Sequence, residues 1–163
     1  IEGWKLESSR IASAMVKKLW SADSFHGFVP VKDRTVSTNS LFNAFPLILG
    51  DQLEPEIRTR LKAHLAECLT LFGAATEMPE SPYFQAREAG RGAIDPGWTL
   101  LLIAALEEIE ETTLARDIAR RYLSLCRESG FRSRYDSLTG EGLGSAADPV
   151  AAAVYFGLKP FLA

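Results

Sequence analysis

Residues 96–130 read PGWTLLLIAALEEIEETTLARDIARRYLSLCRESG. Pro96 supplies the fixed φ that suits a first helical position. The apolar run behind it predicts a helix from near Pro96 to about Ile109. A second helix follows from Thr112 or Thr113 to Ser129, with Leu114, Ile118, Tyr122 and Leu125 on one face, and Gly130 stops it. Only two or three residues separate the pair, so they form an antiparallel helical hairpin.

The same unit recurs upstream. Apolar residues at Trp4, Ile11, Met15 and Leu19, and at Ala12, Val16 and Trp20, make an amphipathic stripe over 4–20. Gly27 and Pro30 then break the pattern, and Phe25, Phe28, Val29 and Val31 predict a brief extended piece or hairpin. Asn39 is the expected cap of a helix from Ser40 to Leu49, which ends at Gly50. Pro55 opens another, stopped by Gly73, with Ile57, Leu61, Leu65, Cys68, Leu69 and Phe72 buried. Pro149 opens the last, PVAAAVYFGLKPFLA. The expectation is an all-α single domain over 1–163 built of antiparallel helical hairpins.

Two connections exceed what a hairpin needs: 74–95 and the polar stretch 130–144, GFRSRYDSLTGEGLG. Long connections in a compact domain are usually functional or disordered. Both lead into the N-terminal ends of alternate helices. In a ring of hairpins those ends share one face, where a site is expected.

Composition bounds the partners. A chain of 163 residues buries a substantial core. A formal net charge of -3 argues against nucleic acid or an anionic membrane surface. The longest apolar run, Trp98 to Leu106, falls short of a bilayer. Cys68 and Cys126 sit in apolar helical patterns and read as buried small hydrophobes rather than a disulfide. His64 and Cys68 share a helical face, but two ligands without a third define no metal site. No metal or other cofactor is expected.

Two stretches carry a resemblance. GRGAIDPGWTLLLIAAL (90–106) resembles the Trp-Arg-Gly-Pro-Ile-Trp-Pro-x-x-Asn-x-Leu-Leu motif of six-hairpin (α/α) toroid glycosidases. FRSRYDSLTGEGLG (131–144) resembles their Phe-x-Glu-x-Tyr-Asn-Pro-x-Thr-Gly-x-x-x-Gly loop. The likeness is closest to glycoside hydrolase family sixty-three, the processing α-glucosidases and mannosylglycerate hydrolases, with trehalases more distant. It implies the C-terminal half of an (α/α)6 toroid that acts on or binds a carbohydrate of the α-glucoside type. Such enzymes invert configuration with a carboxylic acid and a carboxylate base about 6.5–9.5 Å apart.

The departures are specific. Gly90 and Asp95 stand at the two tryptophans, Thr99 stands at the asparagine, and Ser133 stands at the general-base glutamate. A serine hydroxyl is not ionised near neutrality and cannot replace a carboxylate base. Asp95 and Glu141 are the remaining catalytic candidates. Asp95 also reads as a helix N-cap, and Glu141 lies between glycines. Arg91, Trp98, Tyr135 and Asp136 are the candidate substrate contacts, Asp136 doubling as an Asx-turn residue. Three hairpins are half a ring. Either a homodimer or a missing N-terminal half is therefore the expected protein partner, since uncovered apolar faces seek cover.

Overall fold

The computed structural model describes residues 2–162. Helix α1 (Glu2–Leu19) leads into two short hairpins, β1 (Trp20–Ser21) with β2 (Ser24–Phe25) and β3 (Gly27–Val29) with β4 (Arg34–Val36). A 3₁₀ helix follows (Leu41–Gln52), then α2 (Pro55–Cys68), α3 (Pro96–Glu108) and α4 (Thr112–Ser129). Strands β5 (Arg132–Tyr135) and β6 (Gly142–Ala146) precede α5 (Pro149–Leu158) and a 3₁₀ turn (Lys159–Leu162). The expected end of the last helix, Ala163, lies outside the described residues.

The expected α-helix over 40–49 is a 3₁₀ helix that runs on to Gln52 and breaks at Gly50. Pro46 lies inside it and has no N–H to give an α-helical ladder. Its cap is Ser40, not Asn39: the Ser40 hydroxyl accepts from the Phe42 N–H at 3.3 Å. Helix α2 stops five residues short of Gly73, because Thr70 N–H bonds back to the Gly73 carbonyl at 2.8 Å and closes a tight turn. Helix α1 buries only Ala12 fully, and Trp4 and Ile11 of the expected stripe are exposed. Its C-terminal half, through Met15, Val16 and Leu19, packs on Phe25, Leu47, Ile57 and Leu61.

The larger core joins Leu41, Leu65, Leu102, Leu106, Ile118, Tyr122 and Val154. Helix α3 packs against the 3₁₀ helix on one side and α5 on the other, while α2 and α4 lie outside them. The chain thus alternates outer helix, long connection, inner helix, short connection. The short links, 53–54 and 109–111, sit at one end. Two of the long ones, 69–95 and 130–148, gather at the other, over the N-termini of the inner helices. The end of the first, 20–40, reaches them at Asn39–Ser40, whereas its β1–β2 hairpin lies against the start of α2, where Asp23 pairs with Arg60 at 3.4 Å.

Backbone hydrogen bonds tie those connections together. Leu41 N–H bonds to Thr76 O at 3.1 Å and Met78 N–H to Asn39 O at 2.9 Å. Ile94 and Tyr135 exchange both bonds, at 2.8 and 2.9 Å. The shared face expected for the two polar loops is present, and the first connection joins it.

Candidate functional site at the loop face

The polar interior of the protein is confined to this end. Among the described residues, the buried polar side chains are Asn43, Thr76, Glu77, Ser81, Thr99, Asp136 and Ser137. Each lies in a long connection or in the first turn of an inner helix. Buried polar groups are kept where hydrogen bonds or function compensate them.

Asp95 caps α3, its Oδ1 accepting from Trp98 N–H at 3.0 Å. Thr99 donates its hydroxyl to the Asp95 carbonyl at 2.7 Å. The cap leaves Oδ2 without a hydrogen bond, on a side chain that is half-buried. Ile94 and Tyr135 are a hydrogen-bonded pair whose side chains both enter the core. Their neighbours Asp95 and Arg134 therefore lie across from each other on the opposite side of the pair.

The Arg91–Gly92 step is held from behind. Thr76 Oγ1 accepts from Gly92 N–H at 2.9 Å and donates to Ala93 O at 3.1 Å. Gly92 has φ of 153°, and a Cβ there would stand 2.7 Å from the Gln85 carbonyl oxygen. Only glycine lets the two strands of chain approach so closely. Arg91 itself is exposed, and its side chain makes no ion pair among the described residues.

Trp98 is 38% exposed and stacks edge-on against Phe42 at 4.9 Å and tilted against Phe45 at 5.3 Å. Aromatic faces of this kind accept sugar rings or helix neighbours alike. Tyr135 is fully buried, and this corrects its expected place as a substrate contact. Its hydroxyl donates to Gly130 O at 2.8 Å, and its ring meets Tyr122 edge-on at 6.0 Å. It anchors the loop from beneath.

Asp136 is buried and satisfied. Oδ1 accepts from the N–H groups of Leu138 at 2.8 Å and Thr139 at 3.1 Å, and Oδ2 accepts from Arg87 Nη1 at 3.2 Å. Burial pushes its carboxyl up, but those donors together hold it below the usual aspartate value. The same Arg87 nitrogen donates to Glu141 Oε2 at 2.5 Å, and this hydrogen bond holds the exposed Glu141 carboxyl below its ordinary value. An acid–base pair needs one member protonated. Asp136 and Glu141 are both kept ionised, so this pair does not supply that division of labour. Arg87 was not legible as their partner, since it sits 49 and 54 residues away.

Ser133 is turned into its own hairpin. Its hydroxyl donates weakly to Leu143 O at 3.4 Å and accepts from Ser145 N–H at 3.3 Å, beside a register shift between Arg132 and Arg134. Gly144, with φ of 71°, makes room for it: a Cβ there would stand 2.1 Å from Ser133 Oγ. No cluster of three metal-ligating side chains occurs among the described residues.

Outer and inner helices in alternation, with polar connections gathered over the inner N-termini, define a segment of an (α/α) toroid of the glycoside hydrolase kind. The chain belongs to the mannosylglycerate hydrolase MGH1-like glycoside hydrolase domain family, whose model matches residues 2–148. Among solved structures it is similar to the GH63 mannosylglycerate hydrolase of Thermus thermophilus in complex with glucose. That match has 20% identity and a TM-score of 0.78, over 87% of this chain and 37% of that one. It is also similar to neutral trehalase of Saccharomyces cerevisiae, at 17% identity and a TM-score of 0.76, over 99% of this chain and 31% of that one. The chain thus spans about a third of the length of these solved proteins. No curated protein sequence matches it.

Proposed function

We propose that this domain acts on or binds a carbohydrate of the α-glucoside type at the face where connections 69–95 and 130–148 meet over the inner-helix N-termini. The observation that carries the reading is the confinement of buried polar side chains to that face of a glycoside hydrolase fold. Arg91 and Trp98 are the proposed substrate contacts, one a free guanidinium for hydroxyls and the other an aromatic face. With Ser133 at the position of the base, the proposed catalytic carboxylate is Asp95. Its uncapped oxygen lies on the outward side of the Ile94–Tyr135 junction, across from Arg134. Glu141 is the weaker candidate because Arg87 occupies it, and Asp136 serves the site by shaping the loop.

The test is twofold. Titration with glucose and short α-glucosides, read by calorimetry and by Trp98 fluorescence, is expected to show saturable binding that is lost in Trp98→Ala. Turnover of an aryl α-glucoside, if measured, is expected to vanish in Asp95→Asn and to persist in Glu141→Gln. A flat titration across a broad panel of sugars would reject the carbohydrate reading. Turnover unchanged in Asp95→Asn would reject the assignment of Asp95.

A second feature concerns protein partners. The outward positions of α3 and α5 are apolar: Leu100 and Leu101 on the first, Val150 and Phe156 on the second. A helix apolar all round belongs in an interior. We propose that this inner face is covered by further hairpins of a ring, contributed by a second copy or by a missing N-terminal half.

A further inference from the structure

Two acidic side chains are buried at the loop face, and they are compensated very differently. Asp136 accepts from two backbone N–H groups and a guanidinium. Glu77 is 8% exposed and its side chain has, among the described residues, one hydrogen bond, from Ser81 Oγ to its Oε1 at 2.5 Å. Among the described residues no Lys, Arg or His nitrogen pairs with it. Buried carboxylates are ordinarily paired or multiply hydrogen-bonded, because removing the charge from water is costly.

Its position is fixed by backbone pairing. Leu41 N–H to Thr76 O and Met78 N–H to Asn39 O frame Ser40 and Glu77 as a directly opposed antiparallel pair. In such a pair both side chains point to the same side and approach closely. Ser40 caps the first inner helix, so Glu77 stands at that helix's N-terminus, on the loop face. The adjoining Thr76 holds the Arg91–Gly92 step from below. The second oxygen, Oε2, accepts no hydrogen bond among the described residues. It is also absent from the fully buried unpaired side-chain atoms, which are Arg134 Nε and Ser137 Oγ. It therefore keeps some contact with solvent. The carboxylate is thus more than nine-tenths buried at the loop face, with one oxygen that accepts no hydrogen bond and no cation paired with it among the described residues.

We infer that Glu77 is a ligand-contacting carboxylate of this site, and that the ligand brings the missing positive charge. The chemical class is a polyhydroxylated ring that carries a cation, formally in an amino or imino sugar, or in development at the anomeric carbon of a glycoside. This rests on the carbohydrate reading above and deepens it: serine at 133 leaves the base position of the family loop without a carboxylate, and Glu77 places one on the neighbouring connection.

The probe is 1-deoxynojirimycin, an iminosugar protonated near neutrality, titrated beside neutral glucose into the full chain. The iminosugar is expected to bind more tightly than glucose. Glu77→Gln, which keeps the shape and the Ser81 contact, is expected to lose roughly tenfold to a hundredfold in iminosugar affinity and far less for glucose. Glu77→Asp is expected to recover part of the preference, which a merely structural carboxylate would not do. Circular dichroism establishes that both variants are folded. Glucose bound with no preference for the iminosugar, or a preference untouched in Glu77→Gln, overturns this inference and leaves the carbohydrate reading standing. Failure of the unaltered chain to bind either sugar overturns both.

Discussion

Asp136 illustrates how a single buried anion organises the candidate site. Its donors stabilise the ionised form, so its folded value lies below the ordinary aspartate value of about 3.9. That contribution is present above the ordinary value and is lost as pH falls through the folded one. Asp136→Ala is expected to cost about 1–3 kcal/mol at pH 7, since two loop N–H groups lose their acceptor. The gap between variant and parent, measured by urea unfolding, should narrow below about pH 4. Cys68 offers a second check. Burial, with Glu77 and Glu67 nearby, pushes its thiol up to about 12. Iodoacetamide at pH 8 is expected to leave Cys68 unmodified in the folded chain and to label it in denaturant. At this scale the sequence was legible where the chemistry is local. Asp95 caps α3 as its place before Pro96 implies. Arg87 and Glu77 were not legible, because an ion pair across 49 residues and an uncompensated burial are tertiary facts.

Among the elements, the β5–β6 hairpin owes its existence to its neighbours. RSRY has no alternating apolar pattern, so the strand signal is absent from the sequence, and the loop 130–144 reads as a polar connection. Pairing of Ile94 with Tyr135 and burial of the Tyr135 ring extend the chain there instead. Gly144→Ala is expected to destabilise by about 1–3 kcal/mol, because an alanine is strained at φ of 71° and its Cβ meets Ser133 Oγ. Hydrogen exchange in β6 should quicken. Adding Ser133→Gly should restore part of the loss, and strict additivity of the two changes would contradict the close contact. The 3₁₀ helix makes the complementary point. Its apolar spacing identified a helix, but Pro46 decided which kind.

For the whole molecule, the hairpin plan was legible because connection lengths alternate between short and long. That alternation places 69–95 and 130–148 together, whereas the β1–β2 hairpin of the first connection departs from it and lies against the start of α2. The uncovered inner face was legible too, in two helices whose outward residues are as apolar as their buried ones. In light scattering the purified chain is expected to self-associate or to bind a hydrophobic dye. Leu101→Glu with Val150→Glu is expected to abolish either behaviour with little change in helix content. A dye-silent monomer would sink the covered-face proposal. The splice between Ile94 and Tyr135 has one more implication. Because two main-chain bonds rivet the second and third connections, their tips can lengthen or shorten outside that rivet without altering the spacing of the floor beneath. Diversification of such a face is then free to proceed in the tips, while the helices that carry it stay as they are.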